Sequence, residues 1–244
     1  VFKDHFSGQS AAYQKYRPDY PEALFEWLAG AAPGRSLALD VATGNGQAAV
    51  ALAAHFDAVI ASEPSGAQLH SARPHQRVTY RQEPAEVISL ESGSADLVVV
   101  AQAAHWFDWP RFTAEAARVL RPGGVLAIWS YGNCEVTPGI DGLLADFFRD
   151  VVGPWWPRER RHVEEGYRDL TLPFPPLATP DFAMGRCWDA AAMLGYLDTW
   201  SAVRRCRVRT GRDPLAVIAA PLAAAWGAGS REMRWPLTLR AGRA

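Results

Sequence analysis

An aspartate and a glutamate stand 23 residues apart in this chain, each at the end of a short apolar run. Leu37-Ala38-Leu39 leads to Asp40, and Val59-Ile60-Ala61 leads through Ser62 to Glu63. Between them Val41-Ala42-Thr43-Gly44-Asn45-Gly46 reads as a turn that feeds a helix from Gln47 to His55. Such a strand, turn and helix make a cradle. N–H groups at the turn and helix start face a polar ligand, and glycines let the main chain approach it. Dinucleotide folds put the glycine fingerprint after the strand and a ribose acid about 20 residues later. Here a further acid sits in the turn itself. Two acids suit a ligand with an ammonium group and a ribose, and suit a pyrophosphate poorly.

A second reactive group follows the apolar run Leu97-Val98-Val99-Val100, where His105 and Trp106 come a few residues after Gln102. Histidine has the unperturbed pKa of a general base, and it serves equally to shape a pocket. No second His, Cys or acid stands at ligand spacing around His105, so no metal is expected. Cys134, Cys187 and Cys206 are scattered, without the spacing of a zinc site or a disulfide framework. Aromatic residues crowd the later chain, and Trp155, Trp156, Tyr167, Phe174, Tyr196 and Trp200 are candidates for a substrate wall. Arg158, Arg161 and Arg168 are candidates to clamp a substrate carboxylate.

Alternating strands and helices must position these residues. Pro21-Glu22 opens a helix over 23–30. Strands are expected at 36–42, 58–62, 78–82, 96–102 and 125–130. Helices are expected after Gln47, after a Ser65 cap and over 110–120, with Pro122-Gly123-Gly124 ending the last. The run 97–100 is apolar on both faces, as an interior parallel strand requires. The rhythm predicts an α/β fold with a doubly wound, mostly parallel sheet and the ligand over the carboxyl ends of its strands. After Tyr131 it breaks into glycine- and proline-rich stretches around helical pieces, read as an inserted cap. Segments 182–188 and 231–239 look like closing strands, with helical stretches at 190–205 and 214–226 between them. The expected organisation is a lid segment at 1–20, a core at 21–131, a cap at 132–180 and a part at 181–244 that completes the sheet.

Bulk properties exclude several classes. An apolar content of 49% in 244 residues supplies a full core. No apolar stretch approaches the roughly 20 residues of a membrane helix, and the first residues lack a signal-peptide profile, which reads as cytoplasmic. The net charge of −1 recruits no nucleic acid. Arg204, Arg205, Arg207, Arg209 and Arg212 crowd together, yet no aromatic residues interleave them as a nucleic-acid groove would require.

Several motifs together resemble the class I S-adenosylmethionine-dependent methyltransferases, in particular the small-molecule branch that includes trans-aconitate-type enzymes. Leu39-Asp40-Val41-Ala42-Thr43-Gly44-Asn45-Gly46 resembles the family's first motif. Arg118-Val119-Leu120-Arg121-Pro122-Gly123-Gly124-Val125-Leu126 resembles its late motif. The branch-specific matches are 101–108, the opening Tyr13-Gln14-Lys15-Tyr16-Arg17-Pro18-Asp19-Tyr20-Pro21, and 196–201. Two departures stand out: the family usually has glycine at Ala42, and often aspartate at Pro84.

The resemblance implies a Rossmann-like seven-stranded sheet, S-adenosyl-L-methionine as cofactor and a small-molecule methyl acceptor, with O-methylation of a carboxylate or hydroxyl favoured. It implies that Glu63 holds the ribose hydroxyls, that Asp40 faces the methionine ammonium, and that Ala42, Gly44, Gly46 and Gln47 frame the methionine end. Pro64, Leu69, Ala85 and Glu86 would surround the adenine, with Glu83 or Glu86 replacing the missing aspartate. Gln102 would reach the sulfonium side, Arg17 the cofactor carboxylate, and Tyr13 and Tyr16 a lid. His105 and Trp106 would face the transferred methyl. The competing readings are a cofactor-binding protein without chemistry, an RNA methyltransferase using the arginine cluster, and a nicotinamide oxidoreductase on the same layered fold.

Overall fold

In the computed structural model, which describes residues 16–244, the apolar runs pair into a single sheet. Its strands are β1 (Leu37–Val41), β2 (Ala58–Ser62), β3 (Val78–Arg81), β4 (Ala95–Ala101), β5 (Leu120–Tyr131), β6 (Phe182–Trp188) and β7 (Arg231–Arg243). Their order is β3-β2-β1-β4-β5-β7-β6. The first five pair in parallel, and β7 runs antiparallel to both β5 and β6. Tyr13 and most of the lid segment assigned to 1–20 lie outside the described residues.

Both faces of the sheet are covered, which is why its central strands are apolar throughout. Leu97 and Val99 of β4 point into one core and Val98 and Val100 into the other. The first core takes Leu24, Phe25 and Leu28 of α1 (Glu22–Ala31) and Ala48, Ala49 and Leu52 of α2 (Gln47–Leu52). The second takes Phe112, Ala116 and Val119 of α4 (Trp109–Val119). Ser65 caps α3 (Gly66–His70) by accepting from the Gln68 N–H at 3.3 Å.

Strand β7 runs on to Arg243, past the expected end at 239, and three further element boundaries differ from the sequence reading for a local reason. Helix α2 stops at Leu52 instead of His55, because Ala54 and His55 donate to carbonyls three residues back and tighten into a turn. Strand β5 starts at Leu120, and residues 121–124 bulge where its register with β4 shifts between the Ala95–Leu120 and Leu97–Val125 pairs. The stretch 190–205 is two helices, α7 (Ala190–Asp198) and α8 (Ser201–Thr210). At their junction the Thr199 hydroxyl donates to the Tyr196 carbonyl at 2.6 Å.

The long connection from β5 to β6 carries α5 (Pro138–Asp146), a π-helical turn (Phe147–Val151), a 3-10 turn (Gly153–Trp155) and α6 (Arg160–Glu164). The connection from β6 to β7 adds α7, α8 and α9 (Leu215–Trp226). Helix α9 packs on α5 and α7, and α8 on the Gly153–Trp155 turn, so both connections contribute to one helical layer.

A buried acid ties the amino ends of the central strands. Asp96 is fully buried, accepts the Leu37 N–H at 2.9 Å and pairs with Arg121 at 2.9 Å. A Cβ on Gly34 would lie 2.5 Å from its carboxylate, so glycine is needed at that close approach. No helix of the described residues is long and apolar enough to cross a membrane.

Candidate active site

The carboxyl ends of β2, β1, β4 and β5 lie side by side, and the chain direction across the sheet reverses between β1 and β4. Open α/β sheets bind ligands at that crevice. A cavity of about 670 Å³ opens there, roofed by residues of both helical connections.

At the β1 end, Asp40 is fully buried and accepts the Thr43 hydroxyl at 2.6 Å. Burial pushes its carboxyl up to about 7; the Glu63 charge adds to this, and hydrogen bonds from Thr43 and the Ala49 main chain oppose it. At the β2 end, Glu63 accepts the Gly44 N–H at 3.1 Å and the Ser65 N–H at 3.0 Å, one on each oxygen. Those bonds aim the carboxylate across the turn. Gly44 has φ 60°, and a Cβ there would meet only the Gln68 side-chain oxygen, at 3.8 Å, so the space over this turn is open.

Two residues at this edge hold left-handed backbone without being glycine: Ala42 (φ 56°) after β1 and Gln102 (φ 55°) after β4. Such conformations cost free energy and recur at functional sites. Gln102 is braced, its amide donating to the Tyr131 carbonyl at 3.0 Å and accepting the Tyr131 N–H at 2.7 Å. The Gln102 amide therefore ties β4 to the end of β5, which of the two groups expected to reach the sulfonium side leaves the main chain.

The roof is aromatic and cationic. Trp156, Tyr196 and Trp200 line the cavity with Tyr131, whose hydroxyl accepts from Arg17 at 2.9 Å. The Arg17 guanidinium lies 5.3 Å from the centre of the Tyr196 ring. Arg160 lies over Trp156 at 4.7 Å and over Phe148 at 5.6 Å. Its guanidinium nitrogens make no hydrogen bond among the described residues, and the Glu164 carboxylate is 3.9 Å away. His105 lines the same wall, with Nδ1 2.9 Å from the Tyr167 hydroxyl. Burial, then the charges of Arg160 and His162, push its imidazole down to about 3, so the ring is neutral at ordinary pH.

The methyltransferase-domain family model matches residues 39–128, which span β1 to β5. A Dictyostelium discoideum protein assigned as a methyltransferase is 36% identical over 204 residues, 82% of this chain and 78% of its own. The chain belongs to the S-adenosylmethionine-dependent methyltransferases. The solved structure of a type II methyltransferase from Anaeromyxobacter dehalogenans is 48% identical and superposes with a TM-score of 0.88 over 93% of this chain and 98% of that one. A Saccharomyces cerevisiae S-adenosylmethionine-dependent methyltransferase is 30% identical over 172 residues, 65% of this chain and 59% of the relative. The nicotinamide oxidoreductase reading is thereby set aside, and S-adenosylmethionine is the cofactor of this methyltransferase.

The first turn fits that cofactor: an acid at the end of β2, an open glycine, and a buried acid beneath the turn. The cavity of the methyltransferase brings together Arg17, Ala42, Gly44, Gln47, Glu63, Pro64, Ala85, Glu86, Gln102, His105 and Trp106. Gln47 also donates to the Pro18 carbonyl at 2.9 Å and to Asp19 at 3.0 Å. Other predicted residues fall outside its lining. Asp40 lies beneath the turn, behind Thr43. Gly46 faces Tyr80, whose hydroxyl would be 2.0 Å from a Cβ there, so this glycine makes room for a tyrosine. Glu83 turns away to accept the Ser89 N–H at 3.3 Å, leaving Glu86 as the acid at the rim. Tyr16 packs its ring on Gly195 of α7. Leu69, Trp155, Tyr167 and Phe174 are likewise absent from the lining, as are Arg158, Arg161 and Arg168.

Tyr131 and Arg160 are among the cavity-lining residues to which the sequence reading gave no role. Tyr131 ends β5 as Gln102 follows β4, so the carboxyl-edge rule itself pointed to it. Arg160 sits between two arginines that were considered, and nothing in a five-residue helix reveals which of them turns inward.

Proposed function

We propose that this methyltransferase methylates a carboxylate oxygen of a small, anionic organic acceptor. The observation that carries the reading is Arg160, a cation on two aromatic faces at the cavity wall without a hydrogen-bond partner among the described residues. A half-buried cation in this setting is completed by an anion. An aromatic box around it suits a small organic acid, and the trans-aconitate-type resemblance points the same way.

S-adenosylmethionine, when bound, supplies a methyl group already activated on a sulfonium. Glu63 would hold the ribose hydroxyls, Pro64, Ala85 and Glu86 the adenine, and Asp40 would orient the turn through Thr43. The remaining task for the chain is alignment and exclusion of water. Arg160 would seat the acceptor carboxylate, and Trp156, Tyr196 and Trp200 would close around its carbon skeleton. A carboxylate needs no proton removed before it attacks, which suits a site whose histidine is neutral and half-buried. A cytoplasmic location belongs to the same reading.

Against an RNA acceptor, Arg207 is paired with Asp198 and with Asp213 at 2.8 Å, and Arg205 donates to the Trp155 carbonyl at 3.4 Å. The arginine cluster thus serves in part to fasten α8 to its neighbours.

The test is incubation with methyl-labelled cofactor and a panel of small carboxylic acids. Carboxyl methylation gives a product that releases labelled methanol in mild base, and Arg160→Met removes it. Label found only in base-stable products would overturn the carboxylate assignment.

A further inference from the structure

Tyr167 is held with unusual completeness for a residue outside the cavity lining. It is fully buried and takes left-handed backbone at φ 57°. Its N–H donates to the His162 carbonyl at 2.7 Å, and its own carbonyl accepts from Arg240 of β7. The same guanidinium nitrogen donates to the Leu170 carbonyl at 2.6 Å. A β-strand side chain therefore fixes this turn from below, and the phenol it presents ends 2.9 Å from Nδ1 of His105.

That contact can be made in two ways, and the accounting of buried polar hydrogens separates them. If the imidazole donated, the phenol hydrogen would be sealed in the core, because the Tyr167 hydroxyl has no other acceptor for it among the described residues. Buried donors without partners are rare and costly. If the phenol donates, its hydrogen is satisfied by the stronger acceptor of the pair, the lone pair of a ring nitrogen. Burial also raises the phenol pKa far above its ordinary value, so the hydrogen is always present; the main-chain N–H groups of His105 and Ala104 act the other way, on its oxygen.

We propose that Tyr167 is a positioning residue that donates its O–H to Nδ1 of His105, and so holds His105 as the Nε2–H tautomer, a hydrogen-bond donor at the cavity wall and not a general base. With Nδ1 engaged by Tyr167, Nε2 is the ring nitrogen that this cavity-lining residue has left for a ligand. Arg160 and His162 of α6 face the same ring and disfavour a second proton on it. In that state His105 offers an N–H to an oxyanion and cannot take a proton from a hydroxyl. This consequence deepens the carboxylate reading and rests on it; the tautomer itself does not.

Nitrogen NMR of protein labelled on its histidines reads the tautomer without any acceptor. The chain has six histidines, and the His105 signals are those lost in His105→Gln. Unprotonated Nδ1 and protonated Nε2, unchanged from mildly acidic to mildly alkaline solution, are the expected result. In Tyr167→Phe the preference should relax toward a mixture of tautomers, which a purely structural role for Tyr167 would not produce. A protonated Nδ1 in the native protein, or an Nε2–H state that survives unaltered in Tyr167→Phe, would overturn the assignment. The native spectrum alone decides the tautomer if the variant does not fold, and failure of the ester test would leave that spectrum unaffected.

Discussion

Ala42 and Gln102 bring the same backbone problem to the two strand ends that flank the crevice, and they solve it differently. Ala42 has no side-chain device to offset its left-handed φ, whereas Gln102 is bonded twice to Tyr131. Ala42→Gly should therefore stabilise the fold by roughly 0.5–1 kcal/mol, after the extra unfolded-chain freedom of glycine is deducted. Gln102→Gly should destabilise it by about 1–2 kcal/mol, because both hydrogen bonds are lost. Urea denaturation of the two variants checks the contrast in sign. Asp40 adds a pH signature. Its folded pKa of about 7 lies above its unfolded value of about 3.9, so the folded state binds the proton more tightly. The stability this contributes is full below about pH 4 and is lost as pH rises through about 7. Between about pH 5 and about pH 8, native protein should lose on the order of 2–4 kcal/mol relative to Asp40→Asn. Equal slopes for the two would show that Asp40 ionises normally. The Asp40–Glu63 pair was legible because both acids end apolar runs. The strain at Gln102 was not, since only the sheet register places its amide against Tyr131.

At the level of elements, the parallel strands and their helices could be read with small errors because alternating burial writes itself into the sequence. Val98 and Val100 face one core while Leu97 and Val99 face the other, and the apolar run shows it. The errors fell where hydrogen bonding, which leaves no hydrophobic period, sets the boundary: the tightened end of α2, the bulge at 121–124 and the break at Thr199. The Asp96 clamp belongs here too, since it joins the amino ends of β1, β4 and β5 through Leu37 and Arg121. Asp96→Ala leaves a buried N–H and a guanidinium without their acceptor, and should cost about 3 kcal/mol in urea denaturation. A loss below about 1 kcal/mol would mean that water replaces the carboxylate and that the clamp is dispensable.

For the whole molecule, the floor of the cavity at the strand ends was legible and its roof was not. Glu63 and the glycine turn come from one contiguous strand–turn–helix stretch, so spacing alone places them. The roof is assembled from two chain segments that meet only in the fold, with Trp156 and Arg160 from one and Tyr196 and Trp200 from the other. Aromatic content there signalled a pocket but not which rings face it. Binding of the folded state alone raises thermal stability, so S-adenosylmethionine or its demethylated product should raise Tm where NAD does not. Glu63→Ala should shrink that rise, with cofactor binding weaker by roughly 1.5–3 kcal/mol in titration calorimetry. An undiminished affinity would place the ribose elsewhere.

The sheet's two edges bear opposite burdens. Left-handed residues and a buried, reluctantly ionised acid gather at the carboxyl edge, while the Asp96 clamp closes the amino edge. Anyone seeking a more heat-resistant catalyst should therefore redesign around Gly34, Asp96 and Arg121, which lie outside the cavity lining. At the other edge each relaxation of the backbone competes with the geometry that shapes the cavity, and Ala42 is the position where that exchange can be measured with a single methyl group.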